Sequence, residues 1–176
     1  MDLRLIPAPI SIEFSLDENI DENFKREFDS LSESDDDAIG QWLKIAKARG
    51  ETRESDPVLL MLVTELHRKV DQVIKKIDNV EQELIALDNS EEINGINFDH
   101  FNFKRAVLEP FKRYYGRISM PTFPKRDVAV FFKAIDKNTA EFEILHQRDR
   151  KEWNSYVTSR ERAMIREMKE KNEFNT

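Results

Sequence analysis

Cysteine is absent from this 176-residue chain, which removes disulfide frameworks, thiolate-ligated zinc and thiol nucleophiles together. A reducing cytoplasm suits that composition. Only four glycines occur, and none belongs to a Gly-rich phosphate loop or a nucleophile elbow. No apolar run approaches the roughly 20 residues a membrane-spanning helix needs, so no membrane span is expected. The opening Met1-Asp2-Leu3-Arg4 lacks the basic and apolar regions of a signal peptide. The three histidines, His67, His100 and His146, stand apart with no second ligand at metal spacing, so neither a metal nor a cofactor is expected. Carboxylates are plentiful but gather in acidic runs that single out no catalytic pair. The composition therefore points away from an enzyme.

What the chain does have is a long apolar repeat. Leu59, Val63, Leu66, Val70, Val73, Ile77, Val80, Leu84 and Leu87 follow alternating spacings of four and three. A strict 3.5-residue period keeps one seam facing another helix, whereas a helix lying on its own domain follows 3.6 and drifts. Such a helix would run roughly 45 Å at ~1.5 Å per residue. β-branched residues fill both core positions, and Leu60, Leu62, Ile74 and Ile85 widen the stripe. That pattern favours a trimer or tetramer of the chain over a dimer. A long helix packed in an intramolecular bundle is the alternative.

Charge is unevenly distributed. Residues 1–40 carry 12 Asp plus Glu against 3 Lys plus Arg, whereas residues 98–133 carry 3 against 8. A local basic excess serves an anionic ligand, an acidic partner, or an acidic surface of the same protein. Lys112, Arg113 and Arg117 are the partner-binding candidates. Phe98, Phe101 and Phe103 beside Lys104 and Arg105, then Tyr114 and Tyr115, interleave aromatic and basic residues as a base-stacking platform would. Phenylalanines in strands are usually core, and no RNA-binding consensus is present, so nucleic acid is not the expected partner.

Residues 3–14 read as an extended arm or edge strand, with Pro7 and Pro9 excluding a helix. Ile20, Phe24, Phe28 and Leu31 suit a short helix. Ser34 with Asp37 resembles a cap and its acidic partner, Gly50 closes the helix that follows, and Asp56-Pro57 starts another. The two helices form a hairpin, the second continuing to about Leu87. Short strands follow at Ile93–Phe98, Gly116–Met120, Asp127–Ile135 and Ala140–His146. The third has apolar residues on both faces and is placed centrally. Asp149 with Glu152 is the expected cap of a closing helix that sets Trp153, Val157, Met164 and Met168 on one face. Four strands alone leave open edges, so the N-terminal arm, or a neighbouring chain, is expected to complete a barrel.

Three stretches within residues 90–170 resemble a PilZ domain, the small bacterial β-barrel receptor for cyclic di-GMP. They are Ile93-Asn94-Gly95-Ile96-Asn97-Phe98; Tyr115-Gly116-Arg117-Ile118-Ser119-Met120-Pro121 with the strand through Phe131 and Phe132; and Phe142-Glu143-Ile144, Arg148-Asp149-Arg150 and the Trp153–Arg166 helix. A heptad helix feeding such a barrel is similar to an atypical subgroup that tetramerises through long helices. The implied architecture is α+β, a long N-terminal heptad helix and helical hairpin followed by a small PilZ-like β-barrel and a C-terminal helix. Its segments are an arm over 1–33, the helices over 34–88 and the barrel over 89–176.

The resemblance implies a regulator in cyclic di-GMP-linked control of motility or surface behaviour. The family grips its dianionic ligand with an R-x-x-x-R element and a [D/N]-x-S-x-x-G element, and both are altered here. Aligned on Gly95, Ser90 replaces the acid and Glu92 the serine, and a carboxylate is adverse beside a dianion. The upstream R-x-x-x-R, Arg49 to Arg53, falls in the helical turn; Arg162 and Arg166 repeat the spacing in the closing helix. Arg49, Arg53, Asn94 and Gly95 are the candidate ligand residues. The expectation is a protein-contact module with direct nucleotide binding lost or altered. A true receptor with a rearranged site, or a scaffold in a flagellar or pilus assembly, is the alternative.

Overall fold

The computed structural model describes residues 3–18, 20–32, 38–77, 84–121 and 126–174. In chain order these form β1 (Ile6–Leu16), α1 (Glu22–Ser32), α2 (Ala38–Ala48), α3 (Pro57–Ile77), β2 (Asn89–Ile96), β3 (His100–Phe103), β4 (Arg113–Met120), β5 (Arg126–Ala134), β6 (Thr139–Ile144) and α4 (Gln147–Phe174). The strands close into an antiparallel barrel of order β1-β2-β3-β6-β5-β4. By contacts the chain divides into two compact units, residues 1–28 with 86–176, and residues 29–85.

This overturns the expected architecture. The expected arm is itself the first barrel strand, β1, and closes its own barrel, so the helices do not precede the barrel as an N-terminal element but are an insertion between β1 and β2. The cause is strand pairing. β1 pairs with β2 on one side, from Ile6 opposite Ile96 to Phe14 opposite Asn89, and with β4 on the other, from Ser11 opposite Ser119 to Leu16 opposite Tyr114. Without β1 both neighbours would be open edges. Pro7 and Pro9 fall where β1 has only the β2 partner and the register shifts, so their missing N–H groups break no ladder. Where β1 meets β4 the approach is close: a Cβ on Gly116 would sit 2.8 Å from the Glu13 carbonyl oxygen.

Alternation along β1 sends Ile6, Ala8, Ile10, Ile12 and Phe14 inward, where they join Phe101, Phe103, Tyr114, Ile118, Phe132 and Phe142. Rings fill the lumen edge to face and stacked, Phe101 5.0 Å from Phe132 and Tyr114 5.3 Å from Phe132. One mouth is closed by α4, whose Trp153 and Val157 belong to the same core; Trp153 Nε1 donates to the Asn97 carbonyl at 3.0 Å. The other is closed by the chain between β3 and β4, where Leu108 is buried and its N–H donates to the Lys137 carbonyl at 3.1 Å. Phe101, Phe103 and Tyr114 are thus lumen residues and offer no face to a nucleobase.

β5 is apolar on both faces, and the structure shows why. Val128, Val130 and Phe132 fill the lumen while the outward Phe131 is covered by α1, with Phe28 5.1 Å from its ring. β3 is an additional strand among residues read as an aromatic and basic stretch. α4 begins at Gln147, two residues before the expected Asp149 cap, with the Arg150 N–H donating to the His146 carbonyl, and Asp149 and Glu152 bind the Arg126 guanidinium on β5.

In the second unit, local signals act as the sequence suggests. Asp56 Oδ1 accepts the N–H groups of Val58 at 2.7 Å and Leu59 at 3.1 Å, capping α3 with Pro57 at its first position. Gly50, at φ +77°, ends α2, with Glu51 N–H donating to the Ala46 carbonyl and Gly50 N–H to that of Lys47, each at 3.0 Å. The seam helix is shorter than expected. α3 has 21 residues, about 32 Å at ~1.5 Å each, and carries Leu59 to Ile77 of the repeat. Leu84 and Leu87 lie in non-helical chain entering β2, and Val80, like Ser34 and Asp37, lies outside the described residues.

Candidate functional site

The basic segment proves to be matched within its own unit. Antiparallel pairing of β1 with β4 sets Glu13 opposite Arg117, and alternation turns Arg113, Tyr115 and Arg117 away from the lumen. α1 lies over them. Its cap is Asp21, whose Oδ1 accepts the Asn23 N–H at 2.8 Å, and spacings of three and four put Phe24, Glu27 and Phe28 on one face. Phe24 stacks on Tyr115 at 4.8 Å, and Phe28 stacks on His146 at 3.9 Å, whose Nε2 donates to the Phe28 carbonyl at 3.1 Å.

Between the rings sits a charged cluster. The Arg117 side chain is 6 % exposed and donates to Glu27 at 2.7 Å and to Glu13 at 2.8 Å, while the Tyr115 hydroxyl donates to the same Glu27 oxygen at 2.7 Å. Burial alone would lower the Arg117 pKa; the hydrogen bonds to Glu13 and Glu27 outweigh it and leave the value raised. Burial, reinforced by the Glu27 hydrogen bond, pushes the Tyr115 hydroxyl well above its ordinary value. Arg113 pairs with Asp17 at 3.4 Å and Glu143 at 2.7 Å and lies 4.5 Å over the Phe131 ring. Lys112 pairs with Glu18 at 3.2 Å.

Of the three partner-binding candidates, then, Arg117 is interior, Arg113 is engaged in the wall, and Lys112 alone is well exposed. The acidic N-terminal stretch supplies most of their counter-charges, with Glu143 of β6 adding one at Arg113. Glu13, Glu27 and Phe24 were not read as site residues, and Tyr115 only as part of a stacking platform, although a carboxylate between two aromatics at helical spacing was a usable signal.

The candidate ligand residues are not gathered in one unit. Arg49 and Arg53 belong to the α2–α3 turn, where Arg49 lies 3.8 Å from Glu51 and the Arg53 side chain passes beside Gly50. Asn94 and Gly95 belong to β2 in the barrel unit. Asn94 Nδ2 approaches Asn102 Oδ1 at 3.5 Å, and a Cβ on Gly95 would meet Leu5 Cβ at 3.0 Å. Among the described residues no group of three or more His, Asp or Glu side chains is placed to hold a metal ion. No described helix is long and apolar enough to cross a membrane.

The most prominent surface is on α3. Leu59, Val63, Leu66, Val70, Val73 and Ile77 are each between 50 % and 73 % exposed, and Leu62 and Ile74 beside them are exposed as well. Spacings of four and three set the six in a single stripe. A contiguous apolar surface of this kind is where a partner, a ligand or a membrane surface can dock. Compared with known proteins, the chain matches no protein-family model, no curated protein and no solved structure.

Proposed function

We propose that the chain is a PilZ-like signalling regulator that self-associates through the α3 stripe and acts by protein contacts in cyclic di-GMP-linked control of motility or surface behaviour, without catalysis. The observation carrying the association is that stripe. Six seam residues at half exposure or more are what a helix presents when its partners are other helices of the same kind. The PilZ reading rests on the resemblance over residues 90–170, and a closed antiparallel barrel bearing a terminal helix accords with it.

Direct nucleotide recognition is not part of this reading. Glu92 stands on β2 where the family has a serine, and Arg49 and Arg53 lie outside the barrel unit. The expected location is the cytoplasm.

The test is a pair of substitutions, Val70→Asp and Ile77→Asp, each of which would bury a carboxylate at every helix contact. Light scattering should fall from an oligomer to the 20.8 kDa of one chain. An unchanged mass would remove α3 from the interface. A second reading, a receptor with a rearranged site, rests on Gly95, the one residue of the family's [D/N]-x-S-x-x-G element kept here, with Asn94 beside it in β2. Saturable heat on titrating cyclic di-GMP, lost in Arg53→Ala, would establish it; a flat titration would leave the protein-contact module.

A further inference from the structure

We propose that α1 is an exchangeable latch, and that the outward face of β4 and β5 beneath it is a docking site for a partner helix of the pattern aromatic-x-x-carboxylate-aromatic. The inference concerns the barrel and the part of α1 as far as Phe28, and does not depend on association through α3.

The occupant's chemistry is written in the site. Two aromatic rings, Tyr115 and Phe131, flank a guanidinium on the outer wall, and α1 answers them with Phe24, Glu27 and Phe28. Any helix offering a carboxylate three residues after one aromatic and one before another can make the same contacts.

Three features make the contact reversible rather than a fixed part of the core. First, α1 has 11 residues, below the length at which a helix is stable by itself, so its fold and its docking are one equilibrium. Second, its centre is a buried ion pair. Such pairs specify register while adding less stability than apolar packing of the same volume. Third, the chain enters α1 through Ile20 at φ +53°, a left-handed conformation that a β-branched residue adopts only under strain, and Ile20 is exposed. Undocking releases that strain. It also uncovers Tyr115 and Phe131, which are buried while α1 is in place. A partner helix in trans competes with a tethered α1 present at an effective concentration in the millimolar range, so the site answers only when α1 is weakened or lifted.

The test uses the full chain and a fluorescein-labelled peptide of residues 21–32 as the probe. In a Phe24→Ala, Phe28→Ala chain the resident latch loses both rings, and the peptide should bind saturably and at least tenfold more tightly than to the parent. A peptide carrying Glu27→Ala should lose at least tenfold. No binding to a variant whose near-ultraviolet dichroism shows a packed barrel would overturn the proposal, as would equal binding of the two peptides. A readout needing no variant is hydrogen exchange on the parent: α1 amides should exchange at least tenfold faster than those of β4 and β5, and equal protection would overturn the latch.

Discussion

Replacing Arg117 tests the charged cluster on which α1 sits. The Glu27 side chain is 6 % exposed, as is that of Arg117, whereas the other acceptor, Glu13, is 56 % exposed. The two arms therefore differ. Losing Arg117 returns Glu13 to water at little cost, but takes the Arg117 charge from the buried Glu27 carboxylate, which keeps the Tyr115 hydrogen bond. Breaking a buried pair from one side costs about 3–5 kcal/mol, most of it the stranded charge. At an m-value of about 2 kcal/mol/M, Arg117→Leu should lower the urea midpoint of the barrel by about 2 M. Trp153 lies in the barrel core and Trp42 in the other unit, so fluorescence in a Trp42→Phe background reports the barrel alone. Adding Glu27→Leu removes the stranded charge, so the double variant should be more stable than Arg117→Leu by about 2 kcal/mol. A loss under about 1 kcal/mol for Arg117→Leu, the ordinary value of an exposed pair, would refute the argument that the cluster is desolvated.

Trp153→Ala should open the α4 mouth of the barrel and cost about 3–5 kcal/mol in the same urea assay, with loss of the near-ultraviolet signal; a cost under about 1 kcal/mol would mean α4 does not close the core. Gly116→Ala forces a methyl group to within 2.8 Å of the Glu13 carbonyl oxygen, and should destabilise the β1–β4 seam by about 1–3 kcal/mol, read as a lowered melting temperature. Burial raises all three tyrosines, Tyr114, Tyr115 and Tyr156, above their ordinary value. A group raised on folding contributes stability that is intact below its unfolded pKa of about 10 and is lost as pH rises toward the folded value. Tyrosinate absorbance should therefore be absent from the native protein at pH 10 and appear above it together with unfolding. A single tyrosine titrating near 10 in folded protein would contradict its placement.

The features that were legible in the sequence are local ones. Asp56 before Pro57 caps α3, and Gly50 ends α2, because each depends on backbone groups within five residues. The two apolar faces of β5 were legible too, since alternation is a property of the strand itself. Barrel closure by the N-terminal arm was legible only as one of two alternatives, its own barrel or a neighbour's, because β1 meets partners some 75 to 108 residues away, and the place of the helices as an insertion between β1 and β2 was not legible at all. Charge was misleading for a similar reason. A basic run does not disclose that Arg117 will meet a glutamate 90 positions earlier, so a buried pair and a docking patch look alike. At the expected Asp149 cap the helix has already begun, at Gln147, and the carboxylate engages Arg126, 23 residues upstream. The heptad pattern ran past the end of α3 because Leu84 and Leu87, apolar residues of the approach to β2, happen to continue its spacing.

Sedimentation equilibrium of the intact chain across a concentration series tests the central claim, that the α3 stripe is covered by other copies of the same helix. The account predicts a trimeric or tetrameric multiple of 20.8 kDa that persists into the low micromolar range. A single 20.8 kDa species at every concentration would contradict it.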